Sequence, residues 1–284
     1  MSKYYYNKDY FSVIDTEDKA YWLGFLYADG CINRYYKNER LKSMTLELSL
    51  CGEDYNHLEK FKNCLGSNLP IHRKIVKYNN KEYEAYRFNV CCTKMCYDLI
   101  NLGCTPQKTY DTRLPSLNIV PIDYMKDFLR GFFDGDGCIS ITTMNNKPHI
   151  IINFTGMEAM LNDIASFLID QKIITMRPKI HFDKRSKACS MYFYGDTVKD
   201  FLDYIYLDSD IYLDRKYNKY MNYYENYTLD RHGVNWSSRN KAYIVTIMVN
   251  NKRIRIGQSK ELETAIQMRK EAEIKKMNIE SQPA

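Results

Sequence analysis

The chain repeats itself, and that constrains its fold more than any other feature. Residues 20–32 read AYWLGFLYADGCI and residues 127–139 read DFLRGFFDGDGCI, sharing the frame Gly-Phe-x-x-small-Asp-Gly-Cys-Ile at an offset of 107. The correspondence continues downstream. LELSLCGEDYNHLEKFKNCLG (46–66) runs parallel to IIINFTGMEAMLNDIASFLID (150–170), and YRFNVCCTKMCYDLI (86–100) to SMYFYGDTVKDFLDYI (190–205). Each copy ends on a basic stretch: Lys108 lies 79 residues after Asp29, and Lys216 lies 80 after Asp136. A fixed-period repeat is one supersecondary unit used twice.

Within a copy the pattern reads helix, hairpin, helix, hairpin, helix. Met44, Leu46, Leu48 and Leu50 alternate with Ser43, Thr45, Glu47 and Ser49, the period of a half-buried strand. Ile180 and Phe182 alternate with Lys179, His181 and Asp183 in the same way, and Asn79-Asn80 marks a hairpin turn. The expected architecture is α+β: a pseudo-symmetric tandem repeat of αββαββα modules, covering 1–115 and 116–230. Each antiparallel sheet would carry helices on one face and leave a polar face bare.

The repeated segments begin as helices, with Asp15 or Thr16 as N-cap in the first and Pro121 ahead of the second. Both are expected to stop at Gly30 or Gly137 in a left-handed conformation. Ala20, Gly24 and Ala28 share one helical face, as do Gly131 and Gly135. Glycine inside a helix costs roughly 1 kcal/mol against alanine. Both copies carry it at the same place, which predicts two helix backbones in close contact.

That contact would make Asp29 and Asp136 neighbours at two negative helix ends. Two carboxylates ~5 Å apart repel by roughly 3 kcal/mol at an effective dielectric of about 20. A divalent cation relieves both terms, and Mg²⁺ typically takes one or two carboxylates with waters and phosphate oxygens. Such a centre suits phosphodiester hydrolysis. The alternative is that Asp-Gly only terminates each helix.

At these residues the chain resembles the LAGLIDADG homing endonucleases: WLGFLYADG (22–30) and LRGFFDGDG (129–137) look like that family's two motifs. The resemblance spans residues 11–230. It implies a single-chain, pseudo-dimeric fold with the motif helices at the central interface and the two sheets forming a saddle over DNA. It implies a site-specific endonuclease hydrolysing both strands of double-stranded DNA with Mg²⁺, Mn²⁺ substituting. The metal would be held by Asp29 and Asp136 with the carbonyls of Ala28 and Gly135. Lys108 and Lys216 match the basic residues flanking the metal centre, unless they are ordinary surface lysines. The motif's first acid, a structural cap, is Asp134 in copy two but Tyr27 in copy one. The rival reading is a silent relative that only binds nucleic acid, such as an intron maturase or a DNA-binding regulator.

Charge separates a third segment. The chain holds 41 basic and 35 acidic residues; 231–284 has 11 and 5, so residues 1–230 have 30 of each and no net charge. Between 231 and 258 there are six basic residues and no acid, a composition suited to a polyanion. Tyr243, Val245, Ile247 and Val249 alternate, Asn250-Asn251 turns, Arg253 and Arg255 alternate with Ile254 and Ile256, and a helical period follows. This predicts a small three-stranded antiparallel sheet backed by one helix, with arginines on the free face. The segment resembles the plant ethylene-response-factor (APETALA-type) DNA-binding domain. That resemblance places DNA contacts at Asn235, Trp236, Arg239, Thr246, Arg253 and Arg255, though Trp236 could equally pack in the core.

Other signals exclude classes of function. No apolar run of transmembrane length and no signal-like N-terminus occurs. Nine cysteines, odd and irregularly spaced, fit a reduced cytoplasmic protein of a bacterium, phage or other A+T-rich genome. Cys91, Cys92, Cys96 and Cys104 lack a zinc-site frame; Cys31 and Cys138 are expected to pack inside. No dinucleotide or phosphate-loop fingerprint points to a small-molecule substrate, and no splice-junction residues point to an intein. A monomer with internal pseudo-twofold symmetry is expected.

Overall fold

The computed structural model describes residues 3–106, 112–144, 147–184, 188–227, 233–237, 239–249 and 252–280. They form two compact units, Met1–Asn218 and Lys219–Ala284.

The first unit contains the repeat. Its first copy runs α1 (Glu17–Ala28), β1 (Gly30–Lys37), β2 (Arg40–Cys51), α2 (Tyr55–Cys64), β3 (Ile71–Tyr78), β4 (Lys81–Cys91) and α3 (Thr93–Asn101). The second runs α4 (Met125–Asp136), β5 (Gly137–Met144), β6 (Lys147–Gly156), α5 (Glu158–Asp170), β7 (Lys179–Asp183), β8 (Ala188–Tyr194) and α6 (Asp196–Tyr206); α7 (Asp214–Tyr227) follows, and the first unit ends within it at Asn218. Each copy is αββαββα. The sheets have matching orders, β1-β2-β4-β3 and β5-β6-β8-β7. Thr16 caps α1, its side chain accepting from the Lys19 amide. Asn79 and Asn80 both take positive φ (47° and 59°), the two-residue hairpin turn that asparagine tolerates.

Ile32, Met44, Leu46, Leu48, Phe88 and Val90 are buried beneath α2 and α3. In the second copy Ile139, Ile152, Phe154, Met191 and Phe193 are buried in the same way. The alternation in β7 is weaker than the sequence suggests. Ile180 is half-buried, but Phe182 is 60% exposed, because β7 is the edge strand.

The two copies meet along α1 and α4. A Cβ on Gly24 would land on the carbonyl oxygen of Phe128; one on Gly131 would land on the carbonyl oxygen of Tyr21. Both lie inside the 3.0 Å that real Cβ atoms keep. The contacts are reciprocal, since Tyr21 and Phe128 are repeat equivalents just as Gly24 and Gly131 are. Close backbone packing is therefore present, as the small-residue stripe predicts.

The left-handed helix ends are not. Asp29 has φ −100°, and Gly137 is extended at φ −86°, so each helix passes straight into a strand. These glycines serve space rather than backbone handedness: a Cβ on Gly30 would strike Leu26, and one on Gly137 would strike Phe133.

In the second unit β9 (Val234–Ser237), β10 (Ala242–Val249) and β11 (Lys252–Ser259) form an antiparallel sheet in the order β11-β10-β9. It packs on α8 (Leu262–Glu280) through Val234, Val245 and Ala265. The register slips between Val245 and Thr246, whose partners are Gly257 and Arg255. Ile256 is the extra residue of this bulge and stays 39% exposed instead of joining the core. Among the described residues no helix is long and apolar enough to cross a membrane.

Gly24→Ala and Gly131→Ala should each destabilise the first unit by about 1–3 kcal/mol, the usual cost of overpacking. At roughly 2–4 °C per kcal/mol for a unit of this size, the loss is visible in thermal unfolding. An unchanged melting temperature in both variants would contradict the backbone contact.

Candidate metal centre and nucleic-acid interface

Asp29 and Asp136 stand at the ends of the two touching helices, and both are exposed. The geometry between them is set at Gly135. A Cβ there would collide with the Ala28 methyl and lie 3.4 Å from Asp29 Oδ2. The carboxylate of Asp29 therefore rests over the backbone that immediately precedes Asp136. Ala28 and Gly135 are repeat equivalents, and the interface has room for one methyl group, not two.

Lys216 is 3% exposed and lies beneath this pair. Its ammonium donates to the carbonyls of Phe133 (2.7 Å), Asp134 (2.7 Å) and Gly135 (3.3 Å). All three of its donors are thus directed at the last turn of α4, where a cation offsets the negative helix end. Burial pushes its pKa down to about 8 against the pull of Asp134 and Asp29. The structure places Lys216 as a residue that positions the end of α4 rather than one reaching into solvent. Its counterpart Lys108 lies outside the described residues.

Asp134 is the buried anchor behind the centre. Its Oδ1 accepts from the Tyr206 hydroxyl (2.6 Å); its Oδ2 accepts from the Tyr21 hydroxyl (2.7 Å) and the Leu213 amide (2.7 Å). Burial pushes this carboxyl above its ordinary value, while Lys216 and the three donors work in the opposite direction. The Tyr21 hydroxyl also lies 3.0 Å from His57 Nε2. Since that hydroxyl donates to Asp134, we assign the ring proton of His57 to Nε2. Polar groups of α1, α2, α4 and α6 are joined in this way. Sequence reasoning missed the network, although the repeat carried a signal: Tyr21 is polar where its equivalent, Phe128, is not. In the first copy Tyr27 replaces the acid, donates to the Leu102 carbonyl (2.5 Å) at the end of α3 and packs edge-on against Phe128.

The cysteines after each acid are not in a core. Cys31 and Cys138 are exposed, because Gly30 and Ile32 in β1 and Ile139 in β5 are buried and the cysteines turn to the opposite face. They mark the bare faces of the two sheets, which begin two residues after each carboxylate.

Two exposed carboxylates with adjoining carbonyls are a hard-oxygen set. Among the described residues, no group of three or more His, Cys, Asp or Glu could hold a metal through protein ligands alone. The set fits an ion such as Mg²⁺ that keeps waters and takes phosphate oxygens, and not a closed zinc site. The Gly135 carbonyl already accepts from Lys216 but has a second lone pair.

In the second unit Asn235, Thr246 and Arg255 fall on one face by register: Asn235 pairs with Ile244, and Thr246 with Arg255. Thr246 is partly tied up, its hydroxyl donating to the Gly233 carbonyl (3.2 Å). Arg255 is exposed and bonds Gln258 Oε1 (2.5 Å). Arg239 is exposed in the turn after β9. The side chain of Arg253 lies outside what is described. Trp236 pairs with Tyr243, their rings 4.9 Å apart, on the same face as buried Val234 and Val245. It therefore faces away from Arg255, towards the α8 side, while remaining 52% exposed.

No protein-family model matches the chain. The solved structures it is similar to include the LAGLIDADG meganuclease I-AabMI bound to uncleaved DNA, at 13% identity over 74% of this chain and 90% of that chain, with a TM-score of 0.47. I-SmaMI, bound to its uncleaved DNA target in the presence of calcium ions, is 12% identical over 78% and 92%, with a TM-score of 0.46. The LAGLIDADG homing endonuclease I-GzeII in complex with its DNA target is 12% identical over 88% and 97%, with a TM-score of 0.47.

His57 gives the network a definite pH response. Burial holds its pKa at about 3, below the ordinary 6.5. Between these values the unfolded chain binds the extra proton, so stability is fully present above 6.5 and falls on acidification towards 3. Relative to His57→Phe, the wild type should lose up to about 1.4 kcal/mol per pH unit in this window. Parallel stability–pH curves for the two proteins would contradict a buried neutral imidazole.

Proposed function

We propose that the protein is a divalent-metal-dependent endonuclease of homing type, cutting both strands of double-stranded DNA at a specific site. The observation that carries this reading is the placement of Asp29 over Gly135, the residue before Asp136, at the junction of two helix ends. Asp29 and Asp136 would hold the ion, with the Ala28 and Gly135 carbonyls beside them. When bound, Mg²⁺ or Mn²⁺ supplies an activated water and charge stabilisation at the phosphate.

The chain's own contribution is orientation. The α1–α4 contact fixes the separation of the two acids. Lys216 neutralises the end of α4, so that Asp136 is not opposed by an uncompensated dipole. Asp134, gripped by Tyr21, Tyr206 and the Leu213 amide, keeps α4 from rotating. Lys108 would flank the centre from the first copy. The bare sheet faces start beside the acids, so a duplex whose phosphate reaches the acids lies across them.

The 231–284 segment would add a second reading surface, with Asn235, Thr246 and Arg255 on its open face; Arg239 and Arg253 are further DNA contacts of this proposal. Arginine suits bidentate contact with guanine. Trp236 lies on the opposite face with Tyr243 and is left out of that surface.

Asp29→Asn or Asp136→Asn should abolish double-strand cleavage in Mg²⁺ and leave Ca²⁺-supported duplex binding largely intact. Full cleavage by both single variants would overturn the assignment; binding without cleavage by the wild type would identify a silent binder instead.

Deleting 231–284 should weaken site binding and flatten its salt dependence, since each lost phosphate contact removes about 0.9 from the log–log slope. Equal footprints and equal salt slopes for full-length and truncated proteins would exclude the segment as a DNA reader.

A further inference from the structure

The bare faces of the two sheets are built alike but carry different chemistry at equivalent places. On the first sheet Glu47 is the cross-strand partner of Cys31 and of Asn89, and Ser49 is the partner of Arg87. On the second, Asn153 is the partner of Cys138 and Tyr192, and Thr155 is the partner of Ser190. Thus Asn153 stands where Glu47 stands, and Ser190 where Arg87 stands. Cys31 and Cys138 each follow a centre aspartate by two residues, so both places lie beside the proposed cut.

Glu47 and Arg87 form a held pair. The Arg87 guanidinium is 3.8 Å from Glu47 Oε2. Asn33 Nδ2 donates to Glu47 Oε2 (3.4 Å), and the Ser49 hydroxyl donates to Glu47 Oε1 (3.3 Å). With the Asn89 amide turned to satisfy both its neighbours, its oxygen accepts from Arg87 Nε at 3.2 Å. The Glu47 side chain is 22% exposed and that of Arg87 40%, so both reach the surface from fixed positions.

A carboxylate in the middle of a surface that faces a polyanion is repelled by every phosphate. What rewards it is a base-edge amino group, of which cytosine N4 is the usual carboxylate partner in the major groove. Arginine takes guanine O6 and N7. A glutamate and an arginine side by side therefore match the two bases of one G·C pair. Asparagine matches adenine N6 and N7.

Resting on the nuclease reading above, we propose that Glu47 and Arg87 together read one G·C pair in one half of the target. Asn153 reads an A·T pair at the mirrored position in the other half.

The test is selection of full-length protein on a randomised duplex library, scored by Ca²⁺-supported binding and by Mg²⁺ cleavage. Wild-type protein should enrich G·C at one position and A·T at its mirror. Arg87→Ala and Glu47→Ala should each lower the G·C preference tenfold or more at the same single position. Asn153→Ala should relax only the mirrored A·T. All three side chains are at the surface, and circular dichroism confirms that the variants fold. Enrichment of a palindrome, survival of the G·C preference in Arg87→Ala, or relaxation of different positions by Arg87→Ala and Glu47→Ala would overturn the proposal while leaving the nuclease reading intact. Failure of the wild type to bind any duplex would overturn both.

Discussion

The contact between the backbones of α1 and α4 is the constraint on which the rest depends. Gly24 opposes the Phe128 carbonyl and Gly131 opposes the Tyr21 carbonyl, so each copy supplies the gap that the other fills. Only helices this close bring Asp29 over the backbone at Gly135. The strands that follow start with no intervening loop, so their bare faces are fixed to the same axis. One alanine methyl, that of Ala28, uses up the remaining space, which explains why its equivalent must be Gly135.

Such closeness has an electrostatic cost, because two helix C-termini and two aspartates converge. The two copies deal with it differently. In the second, a buried lysine covers the last carbonyls of α4, and a buried aspartate ties that helix to α1, α6 and the segment before α7. In the first, Tyr27 replaces the aspartate and reaches the end of α3 instead. Further ion pairs reach the start of α7 from the first copy: Lys60 with Asp214, and Arg215 with half-buried geometry on Asp54. The pseudo-twofold thus holds for backbones and small residues but not for polar anchoring, and the same asymmetry recurs on the bare sheet faces.

Much of this was legible in the sequence because the repeat tests each reading twice. The αββαββα order, the small-residue stripe and the strand alternation of Met44 to Leu50 all rest on periodicity, and the structure carries them. What periodicity does not encode was misread. Gly30 and Gly137 suggested left-handed caps, whereas steric room against Leu26 and Phe133 is what requires them. Cys31 and Cys138 suggested core because cysteine is often buried, yet the strand phase set by Gly30 and Ile32 turns them outward. The bulge at Ile256 cannot be seen in an alternating pattern, since one extra residue shifts the phase only locally. Lys216 was recognised as basic and near the centre; its burial against three carbonyls is a tertiary fact with no sequence mark.

Divalent metal held jointly by Asp29 and Asp136 is the claim on which the proposed function rests. Loading the protein with Fe²⁺ in place of Mg²⁺, and adding ascorbate and peroxide, generates radicals that cut the polypeptide beside the bound ion. Two cuts are predicted, one near residue 29 and one near residue 136, appearing together and suppressed together by excess Mg²⁺. A cut at only one of them, or cutting elsewhere that Mg²⁺ does not suppress, would contradict a shared centre.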